Sequence, residues 1–389
     1  MPAMYSDSND AKTPLRVLHY LYGESRGGIE EHSLSILSAL SREGNICHLA
    51  ASPALLEQLN GEVSANSIRT LAIRRTGALD YRDALRFVLF VRKNRIEIVH
   101  SHLMIGSMFA SPLARLARIP GVVETFHLRE VWRESKRFKR SFWFDHHLAR
   151  FVDRYIAVSD ATAQHLLLTK RIERTKVRTI LNGRDLDRFH PPSVEEAEVA
   201  RRELGIKGGL MVLLLGRLEE QKGHAFAIEA LRQIHERSPN IFLFFAGEGQ
   251  LESKLKEQCK NANLLNVIYF LGRRNDPERL LEAADLVLLP STFEGLPLSI
   301  VEAMACAVPV IASDIDGTRE IVKHEQTGLL VPPEDASSIA ASIIRLANDR
   351  SLRRRLGENG RQFVEQHFDV KRQVAQTANL YGELLGGAA

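Results

Sequence analysis

Cysteine is nearly absent. The three present, Cys47, Cys259 and Cys306, lie far apart and form no C-x-x-C pair. That excludes a disulfide framework and a cysteine-based zinc site, and it fits a reducing compartment. No apolar run approaches the roughly 18 residues that a membrane-spanning helix needs. Charge of one sign is not in excess either. The 52 Lys and Arg stand against 48 Asp and Glu, a formal net charge of +4, which does not point to nucleic acid as a partner. Residues 1–13 are polar and carry Asp7 and Asp10, so they read as a disordered lead-in and not as a signal peptide. Two phosphate fingerprints are also missing. Neither G-x-G-x-x-G nor G-x-x-x-x-G-K-[ST] occurs, which disfavours a dinucleotide-dependent dehydrogenase and a P-loop nucleotidase.

What the chain does have is length for two cores and a regular alternation of short apolar runs with amphipathic stretches. Strands are expected at Leu15–Leu21, Ile46–Ala50, Ile68–Leu71, Ile96–Ser101, Gly121–Phe126, Arg154–Val158 and Val177–Leu181. Helices are expected between them at Ile29–Leu40, Tyr81–Asn94, Ile105–Ala117, Glu134–Phe151 and Ala161–Leu168. The alternation predicts a parallel sheet covered on both faces. Asn182-Gly183 marks a turn and Pro191-Pro192 ends regular structure, which puts a domain boundary here. The alternation then restarts. Strands are expected at Met211–Leu215, Ile241–Ala246, Val267–Leu271, Leu286–Leu289, Val308–Ala312 and Gly328–Val331. Helices are expected at His224–Glu236, Leu251–Cys259, Asp276–Ala283, Leu298–Ala305, Ser337–Asn348, Ser351–Gln366 and Val370–Leu385. The fold class is α/β, in two domains: 14–185, and 186–367.

Chemistry concentrates at strand ends. The apolar run Leu286–Leu289 stops at Pro290, and a polar loop holds Glu294 and Gly295. Pro297 then suits the first turn of an apolar helix that contains Glu302. A helix N-terminus after a strand is a prepared anion site, and Gly295 lets backbone come close to a phosphate. On spacing alone, Glu294 and Glu302 read more readily as a loop carboxylate and a salt-bridged helix carboxylate than as a ligand-binding pair. The first strand of the second domain ends in G-R-L-E-E-Q-K-G, which brings the cations Arg217 and Lys222 to one loop beside Gly216. Arg meets phosphate oxygens as a planar fork and Lys as a point charge. Each contact between unit charges near 4 Å is worth about 4 kcal/mol gross at an effective dielectric of about 20. The next strand ends at Gly247-x-Gly249, a turn without the third glycine of a phosphate loop, and the third at Gly272-Arg273-Arg274. In the first domain, Gly27 and Gly28 form a strand-to-helix turn that would let backbone approach a sugar or phosphate. His127 ends a strand, where open α/β sheets bind ligands. His100 and His102 alternate on a strand end with no third metal ligand in view and read as interior histidines.

The string P-S-T-F-E-G-L-P-L-S-I-V-E-A-M-A-C-A-V-P, Pro290 to Pro309, resembles the E-x7-E signature of the retaining, nucleotide-sugar-dependent glycosyltransferases of family 4. G-R-x…K-G from Gly216, E-T-F-H ending at His127, G-G-x-E-x-H from Gly27 and N-G-x-D from Asn182 resemble the same family. The resemblance implies a GT-B fold, two Rossmann-like domains facing each other across a cleft, with a final helix in 368–386 packing back on the first. It implies that Glu294 contacts donor-sugar hydroxyls, that Glu302 contacts the donor ribose, and that Arg217 and Lys222 hold the diphosphate. It places His127 by the donor sugar, Arg273 near the base, and Gly28, Gly216, Gly247, Gly295 and Leu296 in the donor site. Where the family has Asp soon after the T-x-H histidine, this chain has Leu128 and Arg129.

The implied activity is transfer of a sugar from a nucleotide diphosphate sugar, UDP- or GDP-linked, to a hydroxyl of a sugar or lipid-linked acceptor in glycan biosynthesis. Rival readings are a sugar-nucleotide sensor without catalysis and an epimerase on the same fold. No metal and no cofactor beyond the co-substrate is expected. The strings Asp185-x-Asp187 and Asp314-x-Asp316 lie in a linker and a turn, and the diphosphate charge is met by Arg217, Lys222 and a helix N-terminus. Both tryptophans, Trp132 and Trp143, fall within 129–155 among Phe138, Lys136, Arg137, Lys139 and Arg140. That mixture fits either an amphipathic helix with a solvated basic face or contact with an anionic membrane. The expected location is cytoplasmic, peripheral at the inner face of the membrane if that contact forms.

Overall fold

The computed structural model describes residues 14–24, 26–74, 81–127 and 142–386. The described residues form two compact units. One holds those up to Thr125, with Phe144–Tyr155 and those from Thr377 on; the other holds those of Phe126–Trp143 and Ile156–Gln376.

The first sheet has seven strands: β1 Arg16–Tyr20, β2 Ile46–Ala51, β3 Arg69–Ala72, β4 Ile98–His102, β5 Gly121–Phe126, β6 Arg154–Ala157 and β7 Val177–Thr179, in the order β3-β2-β1-β4-β5-β6-β7. Its helices are α1 Gly28–Arg42, α2 Pro53–Gln58, α3 Asn60–Ala65, α4 Tyr81–Lys93, α5 Leu103–Leu116, α6 Phe142–Leu148 and α7 Asp160–Gln164. The strands β1, β2, β4 and β5 are buried along nearly their whole length, which only a sheet covered on both faces allows.

The second sheet has six strands: β8 Leu210–Leu215, β9 Ile241–Ala246, β10 Ile268–Phe270, β11 Leu286–Leu289, β12 Val310–Ser313 and β13 Leu329–Val331, in the order β10-β9-β8-β11-β12-β13. Runs such as L-M-V-L-L-L and I-F-L-F-F-A pack into two apolar layers, one on each face. The helices are α8 Val194–Glu203, α9 His224–Ile234, α10 Glu252–Asn261, α11 Pro277–Ala283, α12 Leu298–Ala305, α13 Asp316–Arg319, α14 Ala336–Asn348, α15 Arg350–His367 and α16 Val370–Leu384. In both sheets the strand order reverses beside the first strand, between β1 and β4 and between β8 and β11. Open parallel sheets bind ligands outside the carboxyl ends of their strands at such a reversal.

All thirteen expected strands form, with no end moved by more than two residues. Four helices were not expected: α2, α3, α8 and α13. The first two are short, open on Pro53 and contain Gly61, so no helical period develops. Helix α8 buries only Ala200, yet its capping box, with Ser193 and Glu196 satisfying each other's backbone N–H, was a readable start signal. Of the helix expected at Glu134–Phe151, the described part is α6 followed by a 3-10 turn at Ala149–Phe151. The basic cluster Lys136 to Arg140 and Trp132 lie outside the described residues.

Candidate active site

The loops leaving β8 and β11 meet at the reversal of the second sheet. After β8 the chain passes Gly216 and Arg217 and makes a 3-10 turn, Glu220–Lys222, which ends at Gly223 with φ +69°. A Cβ there would overlap the Pro290 carbonyl oxygen, so glycine is what lets α9 start this close to the end of β11. The Thr292 N–H donates to the Gln221 carbonyl (2.9 Å), and Gln221 Nε2 donates to the Phe293 carbonyl (2.9 Å). These bonds bring Lys222 Nζ to 2.6 Å from Glu294 Oε1, while Ser291 Oγ donates to the same oxygen at 2.7 Å. The Glu294 side chain is 5 % exposed and that of Lys222 16 %. An ion pair this buried is held by geometry, because removing one partner leaves the other charge uncompensated. Just beyond it, burial and then the Lys222 charge push His224 down to about 4, so that imidazole is neutral.

The neighbouring loops pack backbone on backbone. Gly247 has φ +155°, donates its N–H to the Gly272 carbonyl (2.8 Å), and a Cβ on it would overlap the Gly216 carbonyl oxygen. Gly247 and Gly216 therefore serve close stacking of the loops after β8 and β9. Gly216 also leaves room for the Lys222 stem. Gly295 is buried under Gly317, and Leu296 is in the core. Arg217 stands apart from Lys222: it is 67 % exposed and pairs with Glu219 (2.7 Å). Arg273 is exposed on the loop after β10. Glu302, on the second turn of α12, lies 2.6 Å from Arg184 Nε with both side chains largely buried. The Nε–H does not point along that line, so the contact is a charge pair rather than an aligned hydrogen bond.

Beside Glu294 is a cavity of about 280 Å³ lined by Thr292, Phe293, Gly295, Ile315 and Arg319 among others. The D-x-D carboxylates near it are engaged by arginine: Arg319 pairs with Asp314 at 2.6 Å and reaches Asp316 at 3.6 Å. In the other D-x-D, Asp185 accepts the Asp187 and Arg188 N–H groups, and Asp187 pairs with Lys371.

In the first unit, Gly28 opens α1 with open space around it. His127 directly follows β5 and belongs to the second unit; burial pushes it down to about 3, so it is a neutral imidazole. His19 of β1 joins His100 and His102, a third member that the sequence did not reveal. The three offer nitrogens within 4.8 Å of one another, the kind of set that could hold a metal ion. In the structure those nitrogens meet hydroxyls and each other. Tyr381 Oη of α16 lies 3.1 Å from His19 Nε2 and 2.6 Å from His100 Nδ1. Thr125 Oγ1 meets His100 Nε2 at 2.6 Å, and Ser33 Oγ and His102 Nε2 meet His19 Nδ1 at 2.8 and 3.1 Å. One phenol proton serves two rings, so Tyr381 donates to one and accepts from the other. Tyr381→Phe is expected to lower stability by about 1–3 kcal/mol, the cost of leaving buried polar atoms short of a partner. Urea denaturation measures it, and an unchanged midpoint would show that the network contributes nothing.

Two family models match the chain and between them span most of it: Glycosyltransferase Family 4 over residues 26–188 and Glycosyl transferases group 1 over residues 196–363. A curated relative, the UDP-Gal:alpha-D-GlcNAc-diphosphoundecaprenol alpha-1,3-galactosyltransferase of Escherichia coli, is 27 % identical over 380 residues, 95 % of this chain and 97 % of the relative. Among solved structures, a glycosyltransferase from Rickettsia africae superposes with a TM-score of 0.84 at 21 % identity, covering 97 % of this chain and all of that one. HepE of Anabaena in complex with UDP and glucose superposes with a TM-score of 0.84 at 22 % identity, covering 95 % of this chain and all of that one. The two Rossmann-like sheets, the paired loops at the reversal of the second and these matches agree: the chain belongs to the GT-B glycosyltransferases of the group 1, family 4 type.

Proposed function

We propose that the chain transfers a sugar from a UDP- or GDP-sugar to a hydroxyl of a lipid-linked or sugar acceptor, with retention of anomeric configuration and without a metal ion. The observation that carries this reading is the buried Lys222–Glu294 pair at the strand reversal of the second sheet. The Escherichia coli relative is named for UDP-Gal and a diphosphoundecaprenol-linked acceptor, and HepE was crystallised with UDP and glucose, which favours UDP and a lipid carrier.

Lys222, with Arg217 able to swing in from its exposed position, takes the donor diphosphate. Glu294 then turns its carboxylate to the sugar hydroxyls, with Ser291 and Gln221 fixing its plane. Glu302 accepts the ribose hydroxyls, with Arg184 beside it. Gly295 and Leu296 shape the backbone at the phosphates, Gly28 brings backbone to the donor, and Arg273 flanks the base. His127, neutral, offers a lone pair towards charge building at the anomeric carbon. The anomeric carbon–phosphate oxygen bond breaks as the acceptor oxygen bonds to that carbon from the leaving-group side. The departing phosphate oxygen receives the acceptor's proton. The growing phosphate charge falls on cations already in place, which is where electrostatic stabilisation is largest. Glu294 and Glu302 are donor ligands in this scheme, not an acid–base pair flanking the scissile bond.

The expected site of action is the cytoplasmic side, with peripheral contact to the membrane; among the described residues no helix is long and apolar enough to cross one. The test offers UDP-galactose, UDP-glucose and GDP-mannose with a GlcNAc-diphosphoryl lipid and reads the product's anomeric configuration by NMR, with and without EDTA. The expected product keeps the donor's configuration and forms undiminished in EDTA. An inverted product overturns retention. Activity lost in EDTA and restored by Mg²⁺ or Mn²⁺ overturns metal independence.

A further inference from the structure

We infer that the outward face of α4 is a docking surface for an anionic lipid bilayer. The inward face of this helix is ordinary: Phe87, Val88 and Val91 are buried in the first unit's core. The outward face is not. Tyr81, Leu85 and Leu89 are 71 %, 57 % and 56 % exposed, and their spacing of four residues aligns them in one stripe a little over two turns long. Arg82, Arg92 and Lys93 are exposed on the flanks of that stripe. The helix's one acid, Asp83, faces inward, where it pairs with Arg86 and accepts the Arg74 N–H. The surface continues onto the end of α5. Arg92 donates to the Leu116 carbonyl (3.0 Å), and Leu116 is itself 65 % exposed beside exposed Arg118.

Among the described residues of α4, the apolar stripe is flanked by Arg82, Arg92 and Lys93, a pattern that suits an interfacial helix. Its apolar side chains enter the acyl boundary while the guanidinium and ammonium groups meet lipid phosphates. The same charges argue against a second copy on this face. An isologous dimer would set Arg82, Arg92 and Lys93 against their own equivalents. A bilayer rich in anionic headgroups has the complementary sign. The inference deepens the peripheral membrane contact proposed above, and places it on α4 rather than on 129–155. It is tested without substrate, so its failure leaves the sugar-transfer reading standing.

The experiment is flotation of the full chain with vesicles of phosphatidylglycerol and phosphatidylcholine, and of phosphatidylcholine alone, at low and high salt. Binding is expected to the anionic vesicles at low salt and to fall with added salt. Arg82→Ser with Arg92→Ser and Lys93→Ser should weaken partition about a hundredfold, and Leu85→Ser with Leu89→Ser about tenfold or more. Both sets lie on the surface, and UDP binding and circular dichroism should match the unaltered chain. The inference is overturned by an unaltered chain that ignores anionic vesicles at low salt. It is equally overturned by either variant binding as well as the unaltered chain. Two further results also sink it: a dimer in sedimentation that Leu85→Ser with Leu89→Ser dissociates, or vesicle binding abolished only by serines at Lys136, Arg137, Lys139 and Arg140.

Discussion

Lys222→Ala and Glu294→Gln should each lower turnover by at least about a hundredfold, the scale set by losing one preorganised charge or one positioning contact at a reacting centre. The two substitutions differ in what they leave behind. Without Lys222, Glu294 keeps a charge that only Ser291 and Gln221 still contact, so the loop after β11 loses its anchor and stability falls as well. Without the Glu294 charge, Lys222 waits unopposed for the diphosphate. Glu294→Gln should therefore keep or tighten nucleotide binding while losing transfer, whereas Lys222→Ala should lose both. Steady-state rates and calorimetric UDP binding separate the two patterns. Folded variants of both kinds with near-normal turnover would move the active centre away from this pair.

Gly223→Ala is expected to be among the most damaging single methyl groups in the second unit. The residue sits at φ +69°, a conformation other residues adopt at a cost, and the added carbon would overlap the Pro290 carbonyl oxygen, which is backbone and cannot rotate aside. Relief requires moving the end of β11 or the start of α9, both in the core. A loss of about 2–4 kcal/mol is the expected scale for combined strain and overpacking. Because Lys222 directly precedes the glycine and Pro290 leads into the Glu294 loop, activity should fall further than stability. Thermal denaturation beside turnover measures both, and a variant with wild-type melting and turnover would show that the loop has slack its packing does not suggest. Gly28→Ala is the contrast, since a Cβ there meets only open space.

Much of this architecture was readable in the chain. Parallel strands buried on both faces must be continuous apolar runs, and L-V-L-L or I-F-L-F-F-A between turn residues admits few other readings. Helix α8 escaped because it buries almost nothing, so its signal was the Ser193 cap and not a period. Lys222 and Glu294 were each visible as loop residues at strand ends. That they touch follows from β8 and β11 being neighbours, and strand order is not a local property of sequence. The same limit hid the partners: Arg184 for Glu302, and His19 and Tyr381 for His100. Arg217 shows the converse, since its string suggested a place beside Lys222 and the side chain instead turns to Glu219.

The outer strands of both sheets are stubs. β3 has 4 residues and β7, β10 and β13 have 3 each, against 6 in β8 and β9. An edge strand offers a row of unpaired amide and carbonyl groups, a template on which a second chain can add a strand. A three-residue edge offers too few to hold one. The sheets are thus poor seeds for aggregation even though their interiors are among the most apolar runs in the chain. During synthesis the hazard lies instead in the longer inner strands. Each is exposed until a helix-bearing crossover brings its parallel neighbour alongside, a slow step for pairings so distant in sequence.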